Sequence, residues 1–542
     1  MRRRSDAENL APRRVILMIY GFVFGLLWLP AHPLFAANCA IVHHPAPSEA
    51  DTAFLAGNFA KAAELYQAAL TKNPGQEDVA IGLVHALLRQ QKIQGAADAV
   101  HASIGDKPAP AALLTLRAEV ELRQGQPWTA AETANASAKL DPCNPRTLLM
   151  IARVAGLSSR YATARKLLPM AHQLDPQDPE IRAAWMSDLP PAQRIPEIEA
   201  YLASPRGDDR ETLDDLRTQL EQLKKWAEEP RKPCKLTSQP AAAQVPFADI
   251  RTSMGQSTYP ALDVKVNDHR ARLSIDTSYN ARLPIEGVSG LLILRSTAEH
   301  MGLKPLFKNQ VPGIGPQGPR SGYVAVADSI SIGGIEFHDC AVQVMDGNFW
   351  SDADGSISMD MLSDFLVTLN YPAHKLILEP LPARPGSTSA SGLDDRYIAP
   401  QMKDYTAVYR AGSDLILPGS VNAKFPMLFL LDTAMGNSLL SPEASHEVAE
   451  GHWDSKYEVR DMSGNVDTSF SAGDVALSFA HLNQNVTHIG SFDTARFSRD
   501  AGMEVSGFIG NATLKGLTIH IDYRDGLVKL DFDPKHVGAF SH

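Results

Sequence analysis

Two hydrophobic periodicities divide the chain. From residue 43 to about 228, apolar and small residues recur at helical spacing. From about 245 to the end they alternate with polar residues or gather in short β-branched runs. A longer period overlies the helical part. Gly57, Phe59, Ala62, Tyr66, Ala69 and Pro74 outline one two-helix unit, and Gly125, Ala130 and Pro142 follow 68 residues later, two periods of 34. One further period brings Tyr161, Ala164, Ala171 and Pro176, while Ile93, Ala96 and Val100 keep phase in a weaker intermediate unit. Small Ala lets two helices cross closely, an aromatic fills the hole beside it, and Pro stops the second helix. About four units over residues 43–228 are predicted, with residues 193–226 as a capping helix. The Pro- and Ala-rich residues 229–244 read as a linker.

The β half repeats itself. Residues 427–434, an apolar run ending in Asp432, Thr433 and Ala434, have a counterpart at 271–278, ending in Asp276, Thr277 and Ser278. Each is followed by a matching 17-residue segment, 355–371 and 507–523, in which Gly, Ile, Leu and Tyr fall in the same places. The interval from Asp to Tyr is nearly conserved between the copies (371 − 276 = 95; 523 − 432 = 91). Strands separated by turns such as Asn267-Asp268 and Gly333-Gly334 fill both copies. Residues 382–398, which open rich in Pro, Ser and Gly, divide them, giving lobes at 245–381 and 399–542. The fold class is therefore multidomain α + β: a helical solenoid, then a duplicated, bilobal all-β domain.

At 542 residues the chain exceeds one core, and two to four domains are expected. A formal charge of −11, with no basic run beyond the N-terminus, argues against nucleic acid as a partner. Arg2–Arg4 and Arg13-Arg14 precede an apolar run at residues 15–30 and small residues at Ala36-Ala37, so residues 1–37 read as an export signal. The alternative is a retained membrane anchor through residues 15–30. Either places the rest of the chain in the periplasm or outside the cell. Cys39, Cys143, Cys234 and Cys340 form no C-x-x-C motif, and an oxidising compartment would permit disulfides whose pairing the spacing leaves open.

Other chemistries find little support. Residues 313–318 match G-x-G-x-x-G, but Pro316 interrupts them and no helical pattern follows. His446 and His452 are six apart and cannot share a helix face as zinc ligands at i and i+4 do. No G-x-S-x-G occurs. Asp360 and Asp522 read as turn or strand-end carboxylates. No metal or cofactor is expected.

The 34-residue pattern resembles the tetratricopeptide repeat. The duplicated Asp-Thr segments, with Phe508, Ile509 and Gly510 closing the second copy, resemble aspartic proteases, and more narrowly bacterial retropepsin-like proteins with such repeats in front. The resemblance implies that Asp276 and Asp432 form the catalytic pair, with Thr277 and Thr433 cross-bonded beneath them. It also implies that residues 313–323, including Gly315, Gly318 and Tyr323, form a flap over the substrate. Two carboxylates about 3 Å apart cannot both ionise and share one proton, so one can activate a water while the other protonates the scissile carbonyl. The pattern departs from the family at Ser278 and Ala434, where relatives carry Gly, and at Ser358, where the second copy has Gly510. Residues 279–288 also read as inserted in the first lobe. A Cβ at the third loop position is expected to press the loops apart. Two functions follow: an exported endopeptidase whose repeats bind a protein partner or substrate, or a binding module of the same architecture with a cleft that no longer hydrolyses.

Overall fold

The computed structural model describes residues 39–542 except 106–107, 229–233, 239–241, 252–257, 282, 314–317, 349–350, 386–393, 425, 449–451, 454–457, 462–463, 468–469, 472–473, 488 and 533–542. Residues 1–37, read as export signal or anchor, lie outside the described residues. So do Gly315 and parts of the 229–244 and 382–398 segments. Among the described residues no helix is long and apolar enough to cross a membrane.

The solenoid is built from five helix pairs: Glu49–Leu55 with Phe59–Lys72, Glu77–Arg89 with Ile93–Ile104, Ala111–Arg123 with Pro127–Leu140, Pro145–Leu157 with Tyr161–Leu174, and Pro179–Asp188 with Pro191–Ala203. Ala62, Ala96, Ala130 and Ala164 recur at intervals of 34 and are all buried at the helix crossings. The turn inside each of the first four pairs carries one left-handed residue on the same period: Gly57, Gln91, Gly125 and Ser159, at φ +75°, +59°, +72° and +55°. The turn geometry is thus kept in the intermediate unit although its glycine is lost. Residues 193–226, expected as one capping helix, are instead split. Pro191–Ala203 completes a fifth pair and Arg210–Glu228 forms the cap. The break falls where Pro205 lacks an N–H to donate and Gly207 turns left-handed at φ +72°.

That break carries the chain back to the start of the solenoid. Gly207 N–H donates to the Leu55 carbonyl at 2.9 Å, and Arg89 Nη2 pairs with Asp208 Oδ1 at 2.9 Å. Asp208 also takes the Tyr201 hydroxyl. A Cβ on Gly57 would lie 2.3 Å from the Asp208 carbonyl oxygen, so glycine is needed for the two turns to meet.

Three large sheets make the β half. A nine-stranded sheet belongs to the first lobe and a ten-stranded sheet to the second. The third has six strands in the order Thr406–Ala407, Leu527–Phe532, Leu517–Asp522, Phe365–Asn370, Lys375–Pro380 and Ala243–Pro246. Its central pair is antiparallel, with Leu366 opposite Asp522, Thr368 opposite His520 and Asn370 opposite Thr518. Each lobe contributes one hairpin and one leading strand, related by a pseudo-twofold axis between Thr368 and His520. The duplication read in the sequence is therefore a duplication in space.

Solenoid and lobes share buried surface. Ala118, Leu122 and Met150 enter one hydrophobic core with Leu428, Val505 and Phe508 of the second lobe. Thr163 donates its N–H and hydroxyl to Asp395 at 2.9 and 2.6 Å, and Trp226 packs with Ile285 and Phe307 of the first lobe. Disulfides join Cys39 to Cys143 within the solenoid and Cys234 to Cys340 at the entry to the first lobe.

Candidate active site

Both Asp-Thr segments end strands whose last residues before the aspartate are buried. In the first lobe, Thr258–Val266 and His269–Asp276 form a hairpin through Asn267 and Asp268, both at positive φ. Asn and Asp tolerate this conformation, and it matches the twist of a two-residue hairpin. In the second lobe all five side chains of Met427–Leu431 are buried. Each strand has a parallel neighbour from the later matching segment. Gly355–Ser358 lies beside Leu273–Asp276, and Gly507–Ile509 beside Phe429–Leu431. Beyond each strand the chain loops toward the other lobe.

The two loops grip each other reciprocally. Thr277 N–H donates to Thr433 Oγ1 at 3.1 Å, and Thr433 N–H donates to Thr277 Oγ1 at 3.1 Å. The hydroxyls pass on across the axis, Thr277 Oγ1 to the Leu431 carbonyl at 2.7 Å and Thr433 Oγ1 to the Ile275 carbonyl at 2.8 Å. Both threonines are fully buried. Four bonds closed within one buried unit leave neither hydroxyl unsatisfied and fix the loops against each other.

Above this grip stand the carboxylates. Asp276 Oδ1 accepts the Ser278 N–H and the Ser278 hydroxyl, both at 3.0 Å. Asp432 Oδ1 accepts the Ala434 and Met435 N–H groups, both at 2.8 Å. Burial, and after it the negative charge of Asp432, pushes the Asp276 pKa up to about 7. Burial also raises that of Asp432, against the hydrogen bonds it accepts from Ser278, Met435 and Ala434. Both carboxyls thus hold a proton above the ordinary carboxylate range. Asp276, Ser278, Ala434 and Met435 retain partial exposure, so this floor is open to solvent.

The expected pressure from a Cβ at Ser278 and Ala434 does not arise. Neither residue has positive φ, and each still directs its N–H at its carboxylate. The departure at Ser358 is resolved differently. Where the later segment crosses its antiparallel neighbour, each lobe has room for only one side chain. In the second lobe a Cβ on Gly510 would lie 2.4 Å from the Asn437 carbonyl oxygen. In the first lobe Ser358 crosses Gly290, where φ is +69° and a Cβ would lie 3.1 Å from that of Ser358. One glycine serves each crossing, and the lobes place it on opposite strands. Gly290 is a site residue the sequence pattern did not single out.

The other expected positions are distributed as follows. Phe307–Val311 and Arg320–Ile332 pair to form the hairpin read as a flap. Gly318 lies near its tip with open space around it, whereas Tyr323 is buried in the first-lobe core with the Arg295 guanidinium 4.9 Å over its ring. Of residues 279–288, read as inserted, Tyr279 joins a cluster with Ile250 and Tyr259, and Ile285 packs with Trp226. Tyr259, not anticipated, brings its hydroxyl to 2.6 Å from the position a Cβ would take on Gly436, beside the second loop. Asp522 accepts the Asp525 N–H at 2.9 Å, as a turn carboxylate does.

Residues 262–362 match the aspartyl protease family model, and residues 53–120 match the tetratricopeptide repeat model. Among solved structures, the crystal structure of an aspartic proteinase from Irpex lacteus aligns with 11% identity and a TM-score of 0.32, covering 56% of this chain and all of that one. No curated protein is similar enough to count as a match. The first lobe is thus similar in sequence to aspartyl proteases and the start of the solenoid to tetratricopeptide repeats.

Proposed function

We propose that this chain is an exported aspartic-type endopeptidase. The observation that supports this most strongly is the reciprocal Thr277–Thr433 grip, which seats Asp276 and Asp432 on apposed loops at the floor between the lobes. In this reading the ionised member of the pair takes a proton from a water lying between the carboxylates. The protonated member donates to the carbonyl oxygen of the scissile peptide bond. The tetrahedral species then collapses with proton return to the leaving amine, and no covalent intermediate forms. The neutral member is the acid, and the raised Asp276 keeps it available near neutral pH.

Export is supported by the cysteines: all four are paired, and disulfides persist in oxidising compartments. The repeats would hold a protein partner or substrate, and one protein surface they already hold is the second lobe of their own chain.

The test is cleavage of a peptide library from acid to neutral pH by the full chain and by Asp276→Asn and Asp432→Asn. Each substitution is expected to lower kcat by about 10²–10⁴-fold, the range for losing a positioned acid or base. Inhibition by a statine-type peptide and indifference to EDTA are expected alongside. Equal activity in parent and variants would remove the mechanism; absence of cleavage in all, with a peptide still bound in the cleft, would favour the binding module.

A further inference from the structure

The duplication would allow a symmetric pair, yet the two loops differ at their third residue. Ser278 brings a hydroxyl to the first loop; Ala434 brings only a methyl to the second. The Ser278 hydroxyl donates to Asp276 Oδ1 at 3.0 Å, the oxygen that already takes its N–H. Ser278 also acts to lower the pKa of Asp432, against the effect of burial. Asp432 is otherwise held by backbone N–H groups. We propose that Ser278 is a positioning residue for the aspartate pair, its hydroxyl donated to Asp276 and stabilising the singly ionised form of the pair. This rests on the dyad reading given above.

A donor aimed at a carboxylate favours its charged state. A glycine or alanine loop has the backbone N–H but nothing to add to it. The other titratable groups around the pair cannot stand in. Tyr279, Tyr371 and Tyr523 are buried phenols whose pKa values burial raises, so they remain neutral. Asp360, on the one-turn helix behind the first loop, is raised by burial and offset in part by Ser358 and by the charge of Arg410. None of these places a hydroxyl on Asp276 among the described hydrogen bonds. The hydroxyl also makes the two carboxylates inequivalent, because Asp276 Oδ1 is committed to Ser278 and leaves Oδ2 to carry the shared proton.

The experiment compares the full chain with Ser278→Ala, Ser278→Thr and the exchange variant Ser278→Ala/Ala434→Ser. Two readouts are taken: the pH dependence of kcat/KM, and the carboxyl titration by carbon-13 NMR, assigned by difference from Asp276→Asn. Losing a net hydrogen bond of about 0.5–1.5 kcal/mol corresponds to about half to one pH unit. Ser278→Ala is therefore expected to move the acidic limb, and the lower carboxyl titration, upward by that amount. Ser278→Thr, which keeps the hydroxyl, is expected to stay with the parent. In the exchange variant the titration is expected to return toward the parent, with the larger chemical-shift change now at Asp432. Ser278→Ala resembles Ala434 in the folded partner loop, so misfolding is not expected, and far-UV circular dichroism checks this. Superimposable profiles and titrations for parent and Ser278→Ala overturn the proposal and leave the hydrolytic reading intact. A shifted titration in a protein that cleaves no peptide supports the positioning role and sinks hydrolysis instead.

Discussion

At the scale of single residues, the site stores a pH dependence with a definite sign. The Asp276 pKa is raised from 3.8 to about 7, first by burial and then by the charge on Asp432. Above the ordinary carboxylate range the folded protein therefore holds a proton that the unfolded chain releases. Stability is full below about pH 4, falls as pH climbs toward about 7, and is flat beyond. Asp276→Asn removes the penalty. The variant is expected to unfold a few degrees above the parent at about pH 8 and level with it at about pH 4, by differential scanning calorimetry. Activity is expected to fall as pH rises through about 7, because the acid needed to protonate the substrate carbonyl is lost there. A parent enzyme still at full rate two units above that would show that the proton is not supplied by this pair. The meeting of the Asp276 and Asp432 loops was legible in the sequence because each aspartate ends an apolar run at matching places in a duplicated pattern. Ser278 was legible only as a departure from glycine. Its hydroxyl gains meaning from the direction of one side chain, which spacing does not encode.

At the scale of strands and helices, the crossing glycines give a test that depends on which strand carries them. Gly510→Ala would drive a methyl against the Asn437 carbonyl, and something in the backbone must move. Strain of this kind is expected to cost about 1–3 kcal/mol and to weaken the seating of Asp432. Ser358→Gly, the substitution that restores the family residue in the first lobe, is expected to cost far less, because Gly290 already leaves the space. Chemical denaturation of the two variants should therefore show a clear loss for Gly510→Ala and little change for Ser358→Gly. A larger loss for Ser358→Gly would refute the one-glycine rule. The sequence showed Ser358 as a defect because its compensating partner lies on a strand that meets it only in the fold. The fifth helix pair was missed for a related reason. Ile198 stands one period after Ala164, where the motif asks for a small residue, yet it is buried just as the alanines are. Burial kept the unit while the signature was lost. The period of 34 survives elsewhere even without glycine, since Gln91 and Ser159 take the left-handed turn that Gly57 and Gly125 take.

At the scale of the whole molecule, helices and lobes form one compact unit joined by buried contacts, and each part carries its own disulfide. Each disulfide spans more than a hundred residues, 104 for Cys39–Cys143 and 106 for Cys234–Cys340. Cross-links of that span typically contribute about 2–4 kcal/mol, so adding a reductant is expected to lower the thermal midpoint clearly. An unchanged midpoint would mean that the bridges contribute little. The shared core makes a stronger demand. Ala118 is fully buried where the solenoid meets the second lobe, in the same cluster as Leu428 and Phe508. Phe508 belongs to Gly507–Ile509, the parallel neighbour of the strand Met427–Leu431 that delivers Asp432. One buried cluster and one strand pairing thus connect a helix of the repeats to the strand that leads to Asp432. Ala118→Leu would overfill this junction, with a cost of about 1–3 kcal/mol from displaced packing. It is expected to lower the thermal midpoint and kcat together, with a single unfolding transition retained. By contrast, an exposed change on the outer helices, such as Lys61→Ala, is expected to leave both unchanged. A solenoid that only tethered the protease would give the opposite result, with Ala118→Leu splitting the melt into two steps while kcat stayed at the parent value. The closure of the solenoid through Gly207 and Asp208 fits the first outcome, because a closed stack resists the local give that would let an overfilled junction relax without disturbing the lobe.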